Sequence, residues 1–177
     1  INFVIINTGH EFEGQRRKKV FDATKDLFKS DMNVKRTLQE NRNGFTRGFF
    51  AIVCNHTLTQ AIVHTYAMLE PQGSESGSDL NECKEAFSFG YPDFDPTHTP
   101  KNDLSGPNLW PENYTETHTM SEFYTEMCDV SNAIVQGLSM SLDQDQSYLT
   151  EFCHGGEIIS LMRLFHYLPY DNADVSK

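Results

Sequence analysis

Arg163, Phe165 and Tyr167 alternate along the run ISLMRLFHYL, whose branched and aromatic residues mark a strand over Glu157–Leu168. Alternation puts these three on one face and Met162, Leu164 and His166 on the other. A guanidinium and a phenol on one face can hold a carboxylate, the first as a fixed charge and the second as a hydroxyl donor. The plainer alternative is an edge-strand arginine in solvent beside a half-buried tyrosine. A second aromatic group, Phe87, Phe89 and Tyr91 in KEAFSFGY, could line a substrate pocket, although an aromatic strand is more often core. Metal chemistry has less to draw on. None of the seven histidines is followed two residues later by Asp or Glu, and Cys54, Cys83, Cys128 and Cys153 form no CxxC pair.

Several elements must position these groups. INFVIIN at the start reads as a short buried strand that begins abruptly at Ile1, as if a natural N-terminus preceded it. From Glu11 to Ser30 the spacing turns helical, with Val20, Phe21, Thr24, Leu27 and Phe28 on one face. The basic run QRRKK at Gln15–Lys19 then falls on the wet side of that helix. Gly44 and Gly48 mark a loop, and GFFAIVCNHTLTQAIVHTYA after it fits strand or helix equally. The segments 70–82 and 94–111 are rich in Gly, Ser, Pro, Asn and Asp and read as loops. A helix follows from near Asn113 or Thr119, where TMSE has the form of a capping box. Its stripe of Met120, Phe123, Met127, Val130, Ile134 and Leu138 reads as core packing.

The totals bound the function class. A chain of 177 residues suits one domain or most of one. A net charge of −11 argues against a general nucleic-acid binder, which needs a basic surface. No apolar run is long enough to cross a bilayer, so no membrane partner is expected. Unpaired cysteines and no export signal point to reduced thiols and a cytoplasmic setting.

Four segments in order resemble the isopenicillin N synthase-like family of non-haem iron, 2-oxoglutarate-dependent dioxygenases. INFVIINTGH with the following helix is similar to that family's opening strand and helix. KEAFSFGY is similar to its KE-x-F-x-x-GY segment, GPNLWPE to its N-x-WP segment, and SLMRLFHYLPY to its R-x-N-x-YPP strand. The resemblance implies an α+β fold: N-terminal helices followed by an incomplete double-stranded β-helix, or jelly roll. It divides the chain into an N-terminal region over 1–150 and the start of the catalytic jelly roll over 151–177.

It also implies an oxidoreductase that uses Fe(II) and 2-oxoglutarate to oxidise a small organic molecule. Tyr167 aligns with a tyrosine that contacts 2-oxoglutarate, Arg163 with a frequent Lys or Arg, and Phe165 with a position that is often Asn. The family's H-x-D, its later histidine and its R-x-S have no match in these residues. The motif would follow soon after LPYDNADVSK, so this chain by itself is expected to be inactive, an incomplete or degenerate member acting at most as a binding module. Residues 48–65 have no counterpart in the pattern and read as a lineage-specific insert or a translated intron.

Overall fold

The computed structural model describes residues 14–39, 46–51, 84–95, 97, 102–153 and 159–167. The expected opening strand at 1–7 and most of the expected insert lie outside these residues. The chain forms two compact units, each built from two separated stretches: Ile1–Lys29 with Glu112–His154, and Ser30–Pro111 with Gly155–Lys177.

The first unit is helical. Helix α1 spans Gln15–Phe28 and buries Ala23, Leu27 and Phe28. QRRKK lies exposed at its start, as a solvated basic face should. Phe21, expected on the buried face, is instead 59% exposed. The residues of this helix that are buried are Ala23, Leu27 and Phe28.

Helix α3 spans Thr117–Ser141. It begins two residues before Thr119, so the expected capping box does not form. Thr119 lies inside the first turn and its hydroxyl donates to the Glu116 carboxylate at 2.7 Å. Met120 and Tyr124 are buried on this helix, whereas Ile134 and Leu138, expected as core, are exposed. Tyr114 donates from its hydroxyl to the Ala23 carbonyl at 3.1 Å, which ties the segment before α3 to α1. The short helix α4 spans Tyr148–Glu151 and is held to α3 by the Leu149 amide, which donates to the Ser139 hydroxyl at 3.1 Å.

The second unit holds helix α2, Met32–Thr37, capped by the Asp31 side chain, which accepts from the Asn33 amide at 2.8 Å. It also holds a three-stranded antiparallel sheet in the order β1-β2-β3, with β1 at Gly48–Ala51, β2 at Lys84–Gly90 and β3 at Leu161–Tyr167. The first residues of the expected insert are thus a strand paired with KEAFSFG. Gly48 makes that strand possible. Its φ of 100° suits glycine, and a Cβ there would run into the Leu38 carbonyl.

Every residue of β2 is buried. On one face Phe87 packs edge-on against Phe49, with centroids 4.8 Å apart, and Trp110 covers Phe87 at 5.1 Å and Phe89 at 5.2 Å. Each such ring pair adds about 1 kcal/mol to simple burial. Asn108 fixes the end of β2 by exchanging two hydrogen bonds with the Gly90 backbone, at 2.7 and 2.9 Å. The N-x-W pattern therefore works as a backbone clamp followed by an aromatic cover. Arg47, only 1% exposed, donates to the Thr46 and Leu104 carbonyls, each at 2.8 Å, and holds the approach to β1.

Candidate carboxylate-binding face

Register decides which side chains meet. Pairing of Ser88 with Arg163, Ala86 with Phe165 and Lys84 with Tyr167 puts all six on one face, together with Phe50 of β1. This face is polar and cationic at both ends. Glu85, Phe87 and Phe89 fall on the opposite face with Met162, Leu164 and His166.

Two groups form on the cationic face. Arg163 donates from Nε to the Ser88 hydroxyl at 3.0 Å, and its guanidinium stacks over the Phe50 ring at 5.3 Å. Four residues further along β3, about 13 Å at a strand's rise, Tyr167 lies beside Phe165, with ring centroids 6.2 Å apart. The ammonium of Lys84 sits over both rings, 4.8 Å from Phe165 and 5.9 Å from Tyr167. Lys84 is only 4% exposed, whereas Tyr167 is 64% exposed. The face thus carries two cations and two hydroxyls among apolar rings; Lys84 and Ser88 are buried, and Arg163 and Tyr167 are the groups that reach solvent and could meet a small carboxylate.

The expected site residues sort unequally. Arg163 and Tyr167 share a face, as alternation requires. Phe87 and Phe89 are fully buried on the other face against Trp110, and Tyr91 lies exposed beyond the end of β2. The structure does not bring these three aromatics to one surface with Arg163 and Tyr167. Sequence reasoning missed Lys84, Ser88 and Phe50. Alternation within KEAFSFG already sets Lys84 with Ser88, but only the register between strands tells which partners they meet.

The opposite face carries its own charge cluster. Lys35 of α2 donates to both oxygens of Glu85, at 2.9 and 3.1 Å, and His166 Nδ1 lies 2.8 Å from Glu85 Oε1. The lysine and glutamate are both buried, so the pair acts as an internal tie between helix and sheet. Among the described residues no group of three His, Cys, Asp or Glu side chains could hold a metal ion. These residues do not fit an iron centre, and no step through iron follows from them. Among the described residues, too, no helix is long and apolar enough to cross a membrane.

No family model matches the chain. Among characterised proteins, it is 26% identical over 166 residues to the 2-oxoglutarate-Fe(II) type oxidoreductase hxnY of Emericella nidulans, an alignment covering 90% of this chain and 42% of that protein. It is 24% identical over 176 residues to the 2-oxoglutarate-dependent dioxygenase tropC of Talaromyces stipitatus, covering 94% and 48%. The fold is similar to a 2OG-Fe(II) oxygenase family protein of Caulobacter crescentus, with a TM-score of 0.64 at 18% identity over 95% of this chain and 47% of that one. It is also similar to a full-length Neurospora crassa protein crystallised in complex with alpha-KG and thymine, with a TM-score of 0.59 at 19% identity, covering 93% and 44%. The chain spans less than half the length of these relatives. By sequence and by fold alike, the chain is similar to 2-oxoglutarate–Fe(II) oxygenases.

Proposed function

We propose that this chain is the N-terminal part of a non-haem Fe(II)/2-oxoglutarate-dependent dioxygenase that oxidises a small organic molecule. In this reading β1–β3 are the first strands of a jelly roll, and the face bearing Arg163 and Tyr167 receives 2-oxoglutarate. The single observation that carries the reading is the common face of Arg163, Ser88, Lys84 and Tyr167, set by the β2–β3 register. Iron and cosubstrate, when bound, supply the oxidising chemistry. The residues here bind and orient: Arg163 brings a fixed positive charge, Ser88 holds its Nε, and Tyr167 offers a hydroxyl donor.

The relatives' names supply the cofactors, Fe(II) and 2-oxoglutarate. The Neurospora crassa protein was crystallised with alpha-KG and thymine, which makes a small organic substrate the natural class for this chain. The 177 residues alone are expected to bind 2-oxoglutarate and not to turn it over, because their sequence contains no H-x-D. Titration of the purified chain with 2-oxoglutarate, beside an assay for succinate release with added Fe(II), tests both parts. Binding that is lost in Arg163→Met and Tyr167→Leu, with no succinate formed, is the expected result. Succinate release by the chain alone would overturn the incomplete-site reading. Absence of binding at millimolar ligand would overturn the cosubstrate role of this face.

A further inference from the structure

We infer that Lys84 is a positioning residue for Tyr167, clamping its ring through a shared cation–π contact with Phe165. Three observations lead there. Tyr167 is the last residue of β3, which has a single neighbour in the described sheet, and it is mostly exposed. A ring in that setting has little packing to fix its orientation. Directly across the strand pair, Lys84 is almost wholly buried, with its ammonium within 6 Å of both ring centroids. Finally, Arg163 is engaged four residues away by Ser88 and Phe50, so the cation beside Tyr167 is Lys84.

This arrangement gives Phe165 a purpose. A polar side chain there would remove one of the two π faces under the ammonium. The two rings and the charge act as one unit, in which Lys84 orders Phe165 and Phe165 supports Tyr167. The consequence for 2-oxoglutarate binding rests on the cosubstrate reading of Tyr167 given above, whereas the clamp itself does not.

The test is aromatic and methylene NMR on the whole 177-residue chain, with labelled Tyr rings and Lys ε-carbons. The Lys84 ε-protons are expected upfield of the other lysines, because they lie over two rings. Lys84→Met keeps an apolar stem and removes the charge; it should move and broaden the Tyr167 ring signals and weaken 2-oxoglutarate binding roughly fivefold. Lys84→Arg, which also stacks on aromatic faces, should restore both. A merely structural role would leave the Tyr167 signals of Lys84→Met in place while the Trp110 emission changed, and that result overturns the inference.

Should Lys84→Met fail to fold, Phe165→Leu and Tyr167→Leu report from the other side, since both positions are exposed. Loss of the upfield lysine shift in each supports the clamp, and an unchanged shift refutes it. A wild-type chain whose Tyr167 signals ignore millimolar 2-oxoglutarate but whose lysine shift is present would sink the cosubstrate reading and leave the clamp standing.

Discussion

At the scale of single residues, Lys35 and Glu85 form a buried ion pair between α2 and β2. Both side chains are only 8% exposed, and His166 approaches the same carboxylate. Removing the lysine leaves a buried carboxylate short of its main counter-charge, a change that costs about 3 kcal/mol in comparable sites. Lys35→Met is therefore expected to lower stability to urea by about that amount, whereas exposed pairs such as Lys29–Asp26 should contribute little. A midpoint unchanged in Lys35→Met would show that the helix–sheet tie is not used.

Tyr114 gives a pH signature. Burial pushes its hydroxyl well above the usual tyrosine range, while the hydroxyl donates to the Ala23 carbonyl. Because the folded value is raised, its contribution is fully present below the unfolded value near ~10 and is lost as pH rises beyond it. Wild type should exceed Tyr114→Phe by about 1 kcal/mol at neutral pH. That advantage should shrink steadily above pH ~10, in denaturation curves followed with pH.

At the scale of elements, β1 depends on one backbone conformation. Gly48 combines a left-handed φ with a Cβ direction blocked by the Leu38 carbonyl, so Gly48→Ala meets both strain and a backbone clash. The substitution should cost at least ~2 kcal/mol and free β1 from β2, seen as faster hydrogen exchange at Ala86, whose partner is Phe50. Protection at Ala86 equal to wild type would refute it. Helix α3 is largely legible in the sequence, since its apolar spacing and length leave little else to form. Its start falls two residues earlier than the capping pattern of Thr119 and Glu122 predicts, because Glu116 engages the Thr119 hydroxyl first. The strand KEAFSFG is legible as a strand, but its buried lysine and glutamate run against the ordinary preference of charge for water. Only partners elsewhere in the chain make their burial tolerable.

At the scale of the whole molecule, apolar exposure concentrates in one stretch of the helical unit. Leu138, Met140, Leu142 and Phe152 are 52%, 61%, 59% and 74% exposed. A surface of this kind favours association. The chain is expected to sediment as concentration-dependent oligomers, and Leu138→Glu with Phe152→Glu to shift it toward monomer. A monomeric wild type at high concentration would contradict this. The sequence by itself determined helices α1 and α3, strands β2 and β3, the alternation that puts Arg163 with Tyr167, and the ordered segments that resemble the oxygenases. These follow from short-range periodicity and local chemistry, which a chain carries along its length. Only tertiary structure decided that Phe87 and Phe89 are core under Trp110, that Glu85 is tied to Lys35, and that Lys84 lies against Tyr167. Those facts depend on strand register, where a slip of one residue exchanges the two faces. Register is set by contacts between residues far apart along the chain, and no local pattern encodes it.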